Sequence, residues 1–154
     1  MVEETKDLAI DYSQMQMAFS EAEIKKIRLN EPIQSSTWEK LFERITKMAA
    51  DFFELHPNAN KWPKRSEWPN TFFYRFALLQ HLHFFYWIRN GSPIRLNAEK
   101  IRNDIVDLNF ATFATFFDGV MTNDQKLRDL HLEAKVMLEE FILPLANKTN
   151  YRLN

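Results

Sequence analysis

Residues 103 to 124 read "NDIVDLNFATFATFFDGVMTND", and the fold turns on how this stretch is read. It sets four aspartates, Asp104, Asp107, Asp118 and Asp124, among four phenylalanines and several alanine-sized residues. A carboxylate beside so much apolar surface is costly unless a cation or hydrogen-bond donors neutralise it. At helical spacing, Phe110, Phe113 and Phe117 share one stripe and Ile101, Ile105 and Leu108 an adjacent one. Asp104, Asp107, Ala111 and Ala114 share a third. Asn97 is placed to cap this helix, which is expected from Ala98 to about Phe117. "DGVMT" then reads as a turn and a short buried strand. Whether a strand follows the helix separates an α/β chain from an all-α one.

The aspartates admit two readings. Asp104 and Asp107 are three residues apart, so both carboxylates can point into one space. Asp124 would stand at the C-terminal end of the strand, the edge of a parallel sheet where ligands gather. Such oxygen ligands suit Mg²⁺ or Mn²⁺, and a metal held there could activate water against a phosphodiester. In the other reading they are caps and surface charges. Lys100 lies four residues before Asp104 and can pair with it. "TNDQ", Thr122 to Gln125, is a capping-box pattern with Asp124 in the favoured first turn. Asp118 before Gly119 is an ordinary turn pair.

The rest of the chain frames that choice. Its 154 residues suggest one domain, and 45% hydrophobic with 27% charged residues is a globular composition. The absence of cysteine rules out a disulfide framework and a thiolate metal site, and fits a reducing, cytoplasmic setting. "MVEETKDLAI" lacks the basic-then-apolar order of a signal peptide. The longest apolar run, Phe76 to Ile88, is 13 residues and contains Gln80, His81 and His83. A membrane span needs about 20. Residues 61–102 carry eight basic and two acidic side chains, a net +6 inside a chain of net charge −1. A basic middle beside acidic flanks suits a grip on a polyanion, or is the clustering of solvated helix faces.

Two glycines in the whole chain argue against a hairpin-rich β fold. "SEAE", Ser20 to Glu23, is a capping box opening a short helix that ends before Pro32. Ser36 and Glu39 form a second such pattern, before Trp38, Leu41, Phe42, Ile45, Met48, Phe52 and Phe53 at helical spacing. Pro57 to Pro69 is a loop. "TFFYRFALLQHLHFFYWIRNG" is a helix apolar nearly all round, which places it in the middle of the fold, with Gly91 stopping it. "SPIRL" reads as an extended connector. "NDQKLRDLHLEAKVMLEEFIL" is the last amphipathic helix, closed by Pro144. The N-terminal "KDLAIDYSQMQMAF" reads as helix, with a strand over "LAI" as the alternative.

Other chemistry is thinly signalled. His81 and His83 stand two apart, so their rings diverge on a helix and local partners are expected, not a shared metal. There is no Ser-His-Asp order and no phosphate-cradling glycine loop. "KWPKRSEW" interleaves bases and aromatics as single-strand binders do, although Trp62 and Trp68 beside prolines also suit loop anchors.

From about residue 98 to 140 the chain resembles the C-terminal motif region of PIN-like domains, a nuclease family. Asp107 opens "DLNFATFA", with Phe110, Ala111 and Ala114 at the family's apolar and small positions. "VMTND" supplies the strand and the T-x-D aspartate, Asp124, and Asn103-Asp104 resembles relatives with an extra pair before the helix aspartate. The resemblance implies Asp107 and Asp124 as catalytic carboxylates on Mg or Mn, with Asp104 as alternative or addition. Lys61, Lys64, Arg65 and Arg102 would steer an RNA backbone. The family's opening strand ending in "D-x-N" has no good counterpart: "LAIDYS" offers Asp11, and Glu23 stands where a further acid could fall.

The expected fold is therefore an α-rich α/β single domain with at most a small parallel sheet, or an all-α one. The chain would be a diverged PIN-like domain or the C-terminal part of a larger PIN-like protein. The expected activity is a metal-dependent endoribonuclease, or an incomplete portion of one. The alternative is a non-catalytic helical protein that binds a protein partner, its aspartates serving as caps.

Overall fold

The computed structural model describes residue 12 and residues 14–57, 61–91 and 98–150, the last stretch with side chains from 103 to 146. Every regular element among these residues is helical. In chain order they are α1 (Glu21–Arg28), α2 (Ser35–Leu55), a 3₁₀ turn (Arg65–Asn70), α3 (Phe72–Arg89) and α4 (Ala98–Ala114). Then follow α5 (Gln125–Val136), a π turn (Met137–Ile142) and α6 (Leu143–Asn150). The expectations for Asn97 as a cap, "SPIRL" as a connector and "LAI" with Asp11 lie outside the described residues.

The apolar-all-round segment behaves as its pattern demands. On α3, Tyr74, Ala77, Leu78, Leu79, Leu82, Phe84 and Phe85 are buried, and so are Gln80, His81 and His83 on its other sides. The helix touches α1, α2, α4, α5 and the 3₁₀ turn, so it has no solvent face for most of its length. Thr71 caps its start, and Gly91 beyond its end adopts φ +63°, the left-handed conformation that favours glycine. Around it α1 contributes Ile24 and Ile27, α2 contributes Leu41, Ile45, Ala49 and Phe53, and α5 contributes Leu127, Leu130 and Ala134.

The capping box at Ser20 and Glu23 forms as the sequence predicts. The one expected at Ser36 and Glu39 does not: α2 starts earlier, on Gln34, with no side-chain cap bond. Pro144 does not close the last helix. The wider π turn just before it shifts the ladder, with Leu143 N–H donating to Leu138 O. Pro144 then falls in the first turn of α6, where its missing N–H costs nothing.

The short strand expected at Val120 and Met121 is absent, and no strand occurs among the described residues. The mostly helical architecture matches the all-α alternative, not the α/β one. A strand exists only where a second strand accepts its ladder, and the 115–124 connection finds none there. Its course is informative all the same. Lys126, at the start of α5, reaches Asp104 and Asp107 in the first half of α4, while His131 donates to Ala114 O at the end of α4. The two helices thus run in the same general sense, and residues 115–124 travel back between their ends.

Arg75 secures that return. Buried on α3, it donates to Pro69 O, Asn70 Oδ1, Thr115 O and Thr115 Oγ1, and its guanidinium lies 3.9 Å from the Phe116 ring centroid. One planar cation satisfies the carbonyl that the end of α4 leaves over and stacks on an aromatic face.

Candidate functional site

Helix α4 turns its small and acidic stripe inward and its aromatic stripe outward. Asp104, Leu108, Ala111, Thr112 and Ala114 are buried. Val106, Phe110 and Phe113 are 48%, 62% and 56% exposed; the helix expected to reach about Phe117 ends at Ala114, so Phe117, 67% exposed, lies just past it. Small residues let α4 approach α3 and α5 closely, and the phenylalanines have no room on that side. The aspartate that enters with this stripe must then be neutralised inside the fold.

Lys126 does so. Its Nζ lies 2.5 Å from Asp104 Oδ1 and 3.2 Å from Asp107 Oδ2. Burial alone would push the lysine down, but the two carboxylates outweigh it and hold the ammonium above its ordinary value. The arrangement continues inward through fully buried His83, whose Nε2 is 3.7 Å from Asp104 Oδ1 and whose Nδ1 is hydrogen-bonded to the Tyr12 hydroxyl at 2.5 Å. Tyr12, His83, Asp104, Lys126 and Asp107 thereby link the N-terminal segment, α3, α4 and α5 in one polar chain. Asp104 Oδ2 is buried and has no hydrogen-bond partner.

Asp104 and Asp107 therefore converge as the sequence predicts, but on a lysine. Asp124 does not join them. It is the exposed N-cap of α5, where its Oδ1 accepts from Leu127 N–H at 3.0 Å and Thr122 Oγ1 accepts its own N–H. The cap thus sits at Asp124, not at Thr122 as the "TNDQ" pattern suggested. Lys100, the expected partner of Asp104, has its side chain outside the described residues, as does Arg102 on α4. Glu23 closes its capping box and binds Thr37 and Lys40, so its carboxylate is fully engaged. As arranged, the pair does not fit Mg²⁺ or Mn²⁺: the ammonium already bonds both carboxylates, and among the described residues no three His, Asp or Glu side chains are grouped to hold a metal ion.

Of the basic residues expected to steer RNA, Lys61, Lys64 and Arg65 are exposed. Lys61 lines a hollow with Phe53, His56, Trp62 and Phe73. Lys64 caps the 3₁₀ turn through its N–H to Glu67, and Arg65 stands 5.9 Å from the Trp68 ring. None of the three bonds an aspartate of the α4–α5 cluster. Trp68 is a loop anchor, buried with its indole N–H on Pro63 O, while Trp62 is 41% exposed.

The outward stripe is the feature that sequence reasoning identified as a stripe but assigned no side. Phe113 meets Phe72 at 4.8 Å between centroids, Phe72 stacks on Phe76, and Phe76 meets Phe52 of α2. Half-covered aromatics thus run from α2 across α3 to the exposed face of α4. Lys126 was not singled out from sequence, and His83, expected to have a local partner, is bonded by the distant Tyr12. The available signal was physical: an aspartate in register with Ala111 and Ala114 on a core stripe needs a buried cation. No helix among the described residues is long and apolar enough to cross a membrane. Compared with protein-family models, curated proteins and solved structures, the chain matches none.

Proposed function

We propose that this chain is a non-catalytic helical interaction module that docks an amphipathic helix of a protein partner along the outer face of α4. One observation carries the reading: Val106, Phe110 and Phe113 are exposed on α4 at spacings of four and three residues, with exposed Phe117 just past the helix end. That alternation averages 3.5 residues and is the seam on which one helix packs its knobs into the holes of another. The four side chains present roughly 450 Å² of apolar surface, taking about 200 Å² per whole aromatic side chain. A patch of that size is in the range that marks interaction sites on soluble proteins. The partner helix would be read through apolar anchors at the same spacing. The buried Lys126 cluster supports this reading as scaffold, since it locks α4 against α5 and fixes the side that faces out.

The test uses a fluorescein-labelled synthetic helix of three heptads with leucine at both seam positions. Fluorescence anisotropy should show saturable binding to the chain, weakened at least tenfold in Phe110→Asp and Phe113→Asp. Both residues are more than half exposed, so helical content and melting temperature should hold. Equal affinity for the parent chain and both variants would overturn the proposal.

A further inference from the structure

The aromatic and basic stretch "KWPKRSEW" takes no part in the outer face of α4. Its first half instead borders a hollow of about 240 Å³ between the end of α2 and the start of α3, whose lining includes Phe53, His56, Lys61, Trp62, Thr71 and Phe73. Buried Phe53 meets Trp62 at 5.7 Å and Phe73 at 5.2 Å between ring centroids. Trp62 and Phe73 each meet Phe53 but not each other, so two aromatic surfaces stand apart with the hollow beside them. Pockets for whole drug-sized ligands start at roughly 300 Å³. This one has room for a single flat ring system, with the rest of the ligand at its open rim.

Charge selects what that ring carries. Among the described residues, Lys61 is the one lysine or arginine in the lining, and no carboxylate joins it there. Lys61 also forms no ion pair among the described residues. Arg65, farther along, stands 5.9 Å from the Trp68 ring, and the Glu67 carboxylate accepts the Lys64 N–H. The C-terminal end of α2 and the N-terminal end of α3 both reach the hollow. Their opposite dipole ends offset, so the lysine sets the sign. A cationic guest, the familiar occupant of an aromatic site, would meet an unbalanced like charge.

We infer that the hollow binds a free 5′-mononucleotide, its base stacked on the Trp62 and Phe73 rings and its phosphate bonded to Lys61. Every base has a π-face, so aromatic side chains stack it whatever its identity. A lysine ammonium binds phosphate as a point charge. One ring-sized space and one lysine match one nucleotide rather than a strand. The site does not depend on the α4 docking face.

Proton–nitrogen correlation spectra of the full chain should resolve the indole N–H signals of its four tryptophans, with Trp62→Phe assigning that of Trp62. Adenosine monophosphate (AMP) titrated to about 10 mM should shift this signal saturably, with a dissociation constant on the order of 1 mM. Adenosine and ribose 5-phosphate, each lacking one half of the ligand, should bind at least fivefold more weakly. Lys61→Ala should weaken AMP binding at least fivefold and leave adenosine binding unchanged, a split that a merely structural lysine would not give. In Trp62→Ala, followed through the Trp68 signal, both ligands should bind at least fivefold more weakly. Both side chains are exposed, so circular dichroism should match the parent chain. No saturable shift with AMP, or equal AMP affinity in the parent and both variants, would overturn the proposal. A single-stranded hexanucleotide binding at least tenfold more tightly than AMP would overturn the free nucleotide in favour of a strand. A response to a proline-rich peptide but not to AMP would overturn it in favour of a protein ligand.

Discussion

Lys126 reaches from the first turn of α5 to Asp104 on α4, with 2.5 Å between Nζ and Oδ1. Asp104 is only 4% exposed, so this lysine is the cation that compensates a carboxylate inside the bundle. Removing one partner of a buried pair leaves the other uncompensated, which costs far more than the pair itself contributes. Lys126→Met should therefore lower unfolding stability by about 3 kcal/mol. The double variant Lys126→Met/Asp104→Leu should regain most of the loss, and Asp107→Asn should cost less than Asp104→Asn because Asp107 is partly solvated. Urea unfolding measures all four. A Lys126→Met loss below about 1 kcal/mol would show that the pair carries no such burden.

With the ammonium already bonded to both carboxylates, a divalent ion has to displace it to bind. Melting temperatures in millimolar Mn²⁺ and in chelator should coincide. An ion that bound only the native state would raise the melting temperature through mass action, and a clear rise would return the aspartates to the metal reading. Cleavage of single-stranded RNA by the chain, lost in Asp104→Asn and Asp107→Asn, would do the same.

His81 is fully buried and donates Nδ1–H to Ala77 O at 2.7 Å. Burial, with the nearby Arg44 charge, depresses its pKa from 6.5 to about 4 despite that bond. The unfolded chain takes up the proton below pH 6.5 and the folded chain only near 4. The stability held by neutral His81 is thus complete above 6.5, falls as pH drops through that window, and is flat below it. The span corresponds to about 3 kcal/mol. His81→Leu should remove that part of the slope whatever its baseline stability. Unfolding free energies of the parent and the variant at several pH values between 4 and 7 would show it, and parallel curves would argue against it.

Glu23 titrates in the opposite sense. The Ser20 N–H, then Thr37 and Lys40, hold its carboxylate at about 2, against a smaller opposing effect of burial. Its contribution is present above the ordinary carboxylate range and lost as pH falls through about 2. Glu23→Gln should cost about 1 kcal/mol at pH 7, the usual worth of a cap, and little near pH 2. A loss of equal size at both pH values would show that shape, not charge, holds the capping box.

The helices were legible in the sequence because their causes are local. The all-round apolar run over α3, the Ser20–Glu23 box, Gly91 at its left-handed position and the spacing of Leu41, Ile45 and Phe53 each act within a turn or two of chain. The three stripes of α4 were equally legible, as was the approach of Asp104 to Asp107. Which stripe faces the core was not, because three and four residue spacings mark a face without giving its direction. That was decided by packing: Ala111 and Ala114 allow α3 and α5 to come close, and the phenylalanines are left outside. The strand expected after α4 depended on a pairing partner elsewhere in the chain, and so did the charge opposite Asp104. A carboxylate's sequence neighbours do not reveal the cation that tertiary structure brings to it, here Lys126, 22 residues away.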